Sequence, residues 1–536
     1  MKPVLSVEET LRLEDLIEKE GTSKAALMEY AGEFLASVAM KAHPHHAVVL
    51  VGFGNNGGDG WVAADILSQK GVTVDVVSPI EPNEIKSPIA RHVARRTAGR
   101  DVNVVVGPSR DELVDILAPA DIVVDAILGT GFSGAVRAPF SIWIPTLNEM
   151  DMMVVSADVP SGLNAETGEV EGPCVQATYT ATMLAPKIGL YSGEGPEFTG
   201  DILCGELYDR LDEVIDDVEH AADIVEPADL IEYFPELPAH VNKYSRGSVL
   251  VVAGSSAYPG AAIMAAKAAA RAGAGYVTVA TPDPCANLIR MALPSIPVVG
   301  IPADTRGAFG AAAGSAVRDL AGKFDCVLCG PGMTTAVGGM QVVTELLKSD
   351  VPLVLDADAL NCMSRLAIGG IDATPDVYRR EAPLILTPHY RELSRLVGGE
   401  PVEDLGTAID AAQRLLWAAG SNNMVVVAKG PRTAIVGVER VLLPKSGPAS
   451  LATAGSGDVL AGIIAGNIAV SHGEVDRWEM QCAYSVAVHS FTGYIAAAAM
   501  GERSVIATDL IDVIGDAMGV VEEEEALKDA GIELGA

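Results

Sequence analysis

Cations and aromatics are scarce in this chain. Against 71 Asp and Glu stand only 37 Lys and Arg, a formal net charge of −34, and aromatic residues make up 5% of the 536 positions. A surface this acidic repels phosphate backbones and anionic lipid, which argues against nucleic-acid and membrane-surface roles. The seven cysteines are odd in number and widely scattered, so they form no disulfide framework. No apolar run approaches the roughly 20 residues a membrane span requires. The opening residues Met1-Lys2-Pro3-Val4-Leu5-Ser6-Val7-Glu8-Glu9 bring acid too early for a signal peptide. The expected compartment is the cytoplasm. What the chain has in quantity is apolar residue, at 49%, and glycine, at 55 positions. That composition builds large buried cores, and the length suits about two to four domains at roughly 150 residues each.

Residues 1–46 read as helical, with Leu13, Ile17, Ala25, Leu27, Met28, Ala31 and Leu35 at helical spacing. Short apolar runs follow at Ala47–Phe53, Val72–Val77, Val102–Val106, Asp121–Leu128, Met152–Ala157 and Thr178–Leu184. Continuous Val/Ile runs alternating with helices predict a parallel sheet buried on both faces. A dense set of acids from Asp209 to about Pro238 reads as a linker. A second α/β series then runs through Ser248–Ala253, Tyr276–Ala280, Cys326–Cys329, Pro352–Leu355, Leu384–Leu386 and Met424–Ala428. The boundaries expected are 1–212, an acidic linker at 213–238, and 239–536. No motif recurs between the halves, which argues against simple duplication.

Directly behind the first run stands Gly52-Phe53-Gly54-Asn55-Asn56-Gly57-Gly58-Asp59-Gly60. Its first six letters satisfy the G-x-G-x-x-G fingerprint of a dinucleotide site. Asp59 fits poorly, because a carboxylate in the first helical turn competes with a pyrophosphate for the same amides. Amide and carboxylate oxygens instead suit a hard monovalent cation or a hydroxylated ligand. Asp125, before Gly129-Thr130-Gly131, and Asp158-Val159-Pro160-Ser161-Gly162 end two further runs. Ligands of parallel sheets bind at such ends, where oxygens from all three can converge.

NNGGDG, DAILGTG, ADVPSG, APKIGL with Lys187, and the earlier LMEYAG resemble the NAD(P)H-hydrate epimerase domain over about residues 1–210. The resemblance implies a Rossmann-like three-layer α/β/α fold. It also implies a damaged dinucleotide substrate, NADHX or NADPHX, hydrated at C6 of the nicotinamide ring. Carried over, Asn55, Asn56, Gly57, Gly58 and Asp59, the loop Gly129, Thr130, Gly131, Phe132, Ser133, Gly134 and Ala135, and Asp158 contact the substrate. Asn56, Asp125 and Ser161 would hold K⁺. Asp158 is the first choice for the proton shuttle epimerisation requires. Lys187 is second, because a lone lysine near a strand end more often faces solvent or phosphate.

Farther on, Leu451-Ala452-Thr453-Ala454-Gly455-Ser456-Gly457-Asp458 leads small residues into an apolar helix. Consecutive N–H groups there form an anion cradle, and Asp458 just inside can take a proton from a hydroxyl attacking phosphorus. This run resembles the ribokinase-like superfamily. Together with NKYSRG, YPGAA, Gly330-Pro331-Gly332, DADALN, TPHYRE and KGPRT, it resembles ADP/ATP-dependent NAD(P)H-hydrate dehydratase over about residues 225–520. Arg391 stands where that family usually has glycine, and GSGD replaces GTGD. By carry-over Ala261, Gly332, His389 and Asp458 face the hydrate, while Lys429, Gly430, Pro431, Arg432, Thr433 and Gly457 hold the nucleotide.

The implied protein is bifunctional: an epimerase fused to a ribokinase-like dehydratase that uses ADP or ATP with Mg²⁺. Its expected partners are small molecules and further copies of the chain. The alternatives are a small-alcohol or vitamin-precursor kinase with a dinucleotide-binding N-terminal domain, and a dinucleotide-sensing scaffold. Cys326-Val327-Leu328-Cys329 lies in a strand, where i and i+3 point to opposite faces, so no redox or zinc site is read there. His43, His45 and His46 lack companion ligands, Met150, Met152 and Met153 read as core, and His472 and His489 carry no evident partners.

Overall fold

Residues 1–233, 240–367, 378–420, 423–471 and 478–522 are described by the computed structural model of this chain. Pro235, Pro238, His472 and the acids from Glu523 onward lie outside them. The chain divides into two units, residues 2–222 and residues 223 onward.

The N-terminal unit is a seven-stranded, all-parallel sheet. Its spatial order is Asn103–Val106, Thr73–Ser78, His46–Val51, Ile122–Ala126, Val154–Ala157, Tyr179–Met183, Asp201–Gly205. The six expected runs are all present. The seventh strand was not read, since its residues Asp-Ile-Leu-Cys-Gly at the sheet edge give only a short apolar signal. Alternation along His46–Val51 explains the layers. Ala47, Val49 and Val51 join a core with Met28, Trp61 and Ala90, from helices Lys24–Met40, Asn55–Gln69 and Pro88–Thr97. Val48 and Leu50 point the other way, onto Leu113, Leu117, Trp143 and Ile144. Met150 and Met152 pack on that second core, but Met153 is exposed. Connections run outward in both directions from His46–Val51 and Ile122–Ala126, so a crevice opens beyond the carboxyl ends of these two strands.

The C-terminal unit carries a longer sheet, ordered Val298–Ile301, Tyr276–Pro282, Ser248–Val252, Cys326–Cys329, Leu353–Leu355, Leu384–Leu386, Met424–Ala428, Ala434–Val436, Val441–Pro444. The first seven of these strands are parallel, and Met424–Ala428, Ala434–Val436 and Val441–Pro444 form an antiparallel meander. Beyond it, Asp223, Ile224 and Val225 pair with Leu442, Leu443 and Pro444. The stretch read as a linker at 213–238 therefore supplies a strand, Ala222–Val225, and a short helix, Leu211–Val214. Its acids had masked a short apolar run. Helices Pro259–Arg271, Ser456–Val470 and Trp478–Met500 cover one sheet face, and their alanines and glycines permit close approach. A Cβ on Gly462 would stand 2.4 Å from the Ala265 carbonyl oxygen. Cys326 and Cys329 are buried free thiols within a strand, and burial raises both. Among the described residues no helix is long and apolar enough to cross a membrane.

Gly52 shows how tightly the crevice is built. A Cβ there would lie 1.8 Å from the Ile127 carbonyl oxygen, because the two strand-end loops touch through their backbones. Gly52→Ala must push the Ile127 loop away, at a cost of about 1–3 kcal/mol. Hydrogen exchange is expected to accelerate by roughly 5–150-fold, the same cost as a rate factor, at amides of residues 46–60 and 122–131. Amides of the C-terminal unit should be unmoved, and unchanged exchange in both units would contradict this packing argument.

Candidate functional sites

In the N-terminal unit the crevice is a cavity of about 600 Å³, within the size range of small-molecule sites. Helix Asn55–Gln69 begins at Asn55 with Gly54 as its cap. Asp59 therefore lies in the second turn, not the first as the sequence reading had it, and the first-turn amides carry no competing carboxylate. Asn55, Asn56, Asp59, Gly129, Thr130, Gly131, Phe132, Ser133 and Asp158 all line the cavity. Gly57, Gly58, Gly134 and Ala135 do not. Gly57 is needed where its missing Cβ would meet the Gly52 carbonyl oxygen at 2.4 Å, and Gly58 packs against Met28 and Ala90.

Asp125 is fully buried at the end of its strand. One carboxyl oxygen accepts the Ser161 hydroxyl at 2.5 Å and the other accepts Ser156 Oγ at 2.8 Å and Ser161 N–H at 2.9 Å. Burial raises this carboxyl despite those donors. The Leu128 N–H reaches Ser161 Oγ at 2.8 Å, and Gly129 lies against Asn56, whose buried Nδ2 has no partner among the described residues. Asn56, Asp125 and Ser161 are thus linked through one loop. A dehydrated carboxylate among neutral oxygens is a donor set that suits a hard monovalent cation.

Asp158 takes a left-handed backbone, φ 67°, at its strand end. Its carboxylate pairs with the Lys187 ammonium, which also donates to Thr182 Oγ1 at 3.2 Å and Met183 O at 2.8 Å. Lys187 is 1% exposed and lines the cavity, so it is not a solvated charge. The ion pair corrects the sequence reading. Glu14 and Lys24, from the first two helices, also line this cavity. Neither was read from sequence, because a charge on an amphipathic helix looks like a solvated face.

In the C-terminal unit three neighbouring strand ends deliver Asp356, Thr387 with His389, and Lys429. The Lys429 ammonium donates to Asp356 Oδ1 at 2.6 Å, and Thr387 Oγ1 donates to the same oxygen at 2.8 Å. Burial alone would lower the Lys429 ammonium, but Asp356, Glu392 and Asp458 together outweigh it and hold it above its usual range. Gly457, in the first turn of helix Ser456–Val470, brings its Cα side to the same ammonium; a Cβ there would lie 3.3 Å from Nζ. Asp458 follows, pushed up to about 7 by burial and Asp356, with Lys429 opposing. Glu392 is likewise pushed up to about 7, chiefly by burial. Asp356 directly follows strand Leu353–Leu355, a signal the sequence offers, whereas Glu392 lies inside helix Tyr390–Leu396, where nothing local distinguishes it.

His389 caps helix Tyr390–Leu396, its Nδ1 accepting the Arg391 N–H at 3.1 Å and the Glu392 N–H at 3.4 Å. Burial and Lys429 lower its affinity for a proton, and with Nδ1 accepting, Nε2, which lies 3.4 Å from Glu392 Oε1, is the ring's donor. Arg391 contributes only its backbone N–H here, and its side chain is exposed, which explains why arginine is accepted where glycine is usual. Ala261 lies against Gly332, at 3.0 Å from the Cβ that glycine lacks. Gly430 leaves room for the Tyr390 hydroxyl. His489 has partners after all: buried under the cradle, its Nε2 lies 3.0 Å from Ser456 Oγ and 3.1 Å from Ser456 O.

Two family models match the chain: one for NAD(P)H-hydrate dehydratase over residues 249–515, and one for the YjeF-related protein N-terminus over residues 24–189. The bifunctional NAD(P)H-hydrate repair enzyme Nnr of Salinibacter ruber is 36% identical, over 93% of this chain and 92% of that protein. Its namesake from Moorella thermoacetica is 34% identical over 90% of both chains. The bifunctional NAD(P)H-hydrate repair enzyme of Leishmania major is 30% identical over 95% of this chain and 90% of that protein. A solved Bacillus subtilis ADP/ATP-dependent NAD(P)H-hydrate dehydratase is 25% identical over 55% of this chain and 98% of that chain, with a TM-score of 0.46. With both site regions falling inside matched segments and full-length relatives aligned end to end, the chain belongs to the family of bifunctional NAD(P)H-hydrate repair enzymes.

Proposed function

We propose that the N-terminal unit interconverts the R and S epimers of hydrated NADH and NADPH, and that the C-terminal unit dehydrates the S epimer at the expense of ADP or ATP. The observation that carries the second half is the meeting of Asp458, Lys429 and Asp356 beside a glycine-built helix N-terminus. Hydroxide is a poor leaving group, so the C6 hydroxyl is first phosphorylated. Asp458 takes its proton as the oxygen attacks the terminal phosphorus of the nucleotide, releasing AMP or ADP. Lys429 offsets the charge that develops on the transferring group, and Asp356 with Thr387 holds the ammonium in place. The ring nitrogen then expels phosphate, and loss of a C5 proton restores the dihydronicotinamide. The first-turn amides of helix Ser456–Val470, with Gly430 to Thr433, hold the nucleotide phosphates, and Mg²⁺ enters with them. Neutral His389 donates from Nε2 to the hydrate.

In the N-terminal unit Asn55, Asn56, Asp59, Asp158 and the Gly129–Ser133 loop surround the hydrated ring and its phosphates. Asn56, Asp125 and Ser161 would hold K⁺, which would supply a fixed positive charge at the crevice. Seven free cysteines agree with a cytoplasmic setting.

For the dehydratase, Asp458 must be ionised to accept a proton. With its carboxyl at about 7, the rate should climb as pH rises through 7 and fall roughly tenfold per unit below it. Asp458→Asn should lose about 10²–10⁴-fold in nucleotide-dependent dehydration of the S epimer. A flat profile from pH 5 to 8, or a near-native Asn variant, would count against the assignment. For the cation site, K⁺ at 100 times its dissociation constant should stabilise the N-terminal unit by about 2.7 kcal/mol. Thermal unfolding reads this directly. Asp125→Asn should abolish the increment, and an equal increment in that variant would place K⁺ elsewhere.

A further inference from the structure

Asp59 and Asp158 share the N-terminal cavity but sit in opposite surroundings. Asp158 receives three donors: the Lys187 ammonium, Thr182 Oγ1 at 3.2 Å and Met183 N–H at 3.2 Å. The ammonium makes this a charge-assisted pairing. Asp59 opens on the same cavity, yet no hydrogen-bond donor among the described residues reaches its carboxyl. Protein otherwise encloses it, and the charges that face it are Asp158 and Glu14, with Lys187 alone opposing them. Burial first, then those two anions, drives the Asp59 carboxyl well above the ordinary range. Glu14 is raised by burial too, though Lys24 and Lys187 pull it back. The two aspartates also enter from different walls. Asp59 comes from the helix after strand His46–Val51 and Asp158 from the end of Val154–Ala157, with strand Ile122–Ala126 between them.

We propose that Asp59 and Asp158 are the acid and the base of epimerisation, acting on opposite faces of the hydrated ring; the inference rests on the epimerase reading above. Two carboxyls held in unlike environments divide the two roles between them. Asp59 gives its proton to the C6 hydroxyl oxygen. The C6–O bond breaks, the ring-nitrogen lone pair forms the C=N bond, and water leaves. A second water adds to the other face of C6, returns the electron pair to nitrogen, and yields its proton to Asp158. The pair ends with its single proton on the opposite member, so the reverse epimerisation runs with the roles exchanged.

The test follows each purified epimer separately in H₂¹⁸O, without nucleotide. The unmodified chain should incorporate one label per inversion from either epimer. Asp59→Asn should lose at least ~100-fold in inversion. Asp158 alone can still remove and return water on its own face. In this variant one epimer should therefore take up label at least ~10 times faster than it inverts, a ratio drawn from the same general-acid contribution. Asp158→Asn should give the mirror pattern, with label entering the other epimer. Asp59→Glu, which keeps a carboxyl, should recover at least ~10-fold of the lost inversion on that scale. Inversion by Asp59→Asn within ~3-fold of the unmodified chain, well inside that contribution, would overturn the pairing, as would equal loss of exchange from both epimers in both Asn variants. Failure of the unmodified chain to invert either epimer would instead defeat the epimerase reading itself.

Discussion

A parallel sheet covered on both faces has only its strand ends left for chemistry, and each unit of this protein is organised by that constraint. Along the Val and Ile runs a polar side chain is tolerated only where a partner lies within reach, as Ser156 finds Asp125. Polar residues therefore collect where each strand stops: Asp125, Asp158, Asp356, Thr387 and Lys429 all follow an apolar run directly or end it. Hydrogen bonding within the sheet fixes the spacing of those ends, so convergence of side chains distant in sequence follows from register. Asp356 and Lys429, 73 residues apart, meet at 2.6 Å because their strands flank Leu384–Leu386.

The carboxyls gathered in this way differ in the donors they are given. Asp158 is given a buried ammonium and two further donors; Asp59, nearby, is given none among the described residues. In the other unit Asp356 takes Lys429 and Thr387, while Asp458 is left with burial and a like charge, which lift it to about 7. Each unit thus sets a carboxylate paired with a lysine beside a second carboxyl that burial raises. A raised carboxyl of that kind is what an acid or base working near neutral pH requires.

Much of this was legible in the sequence. Strand runs, their ends and the GSGD cradle could be read because each rests on local pattern: continuous branched residues, then glycine, then a helix. Asp458 falls in the first helical turn, where its spacing from Gly455 put it. What escaped depended on partners far along the chain. Lys187 looked like a surface cation until its strand-end neighbour Asp158 enclosed it, and His489 looked unpartnered until a distant helix brought it under Ser456. Glu14 gave no signal, since only the tertiary fold turns that face of its helix to a cavity. Asp59 was placed in the wrong turn because the helix start at Asn55 is set by Gly54, four residues earlier than the carboxylate suggested.

The most direct measurement of the central claim gives the intact chain a mixture of R and S hydrates of NADH with ADP or ATP, and follows the dihydronicotinamide absorbance to completion. With both units acting as described, one half supplies the epimer that the other consumes, and the whole mixture returns to NADH. A trace that halts when the S fraction is spent would contradict the epimerase half, and no recovery with either nucleotide would contradict the dehydratase.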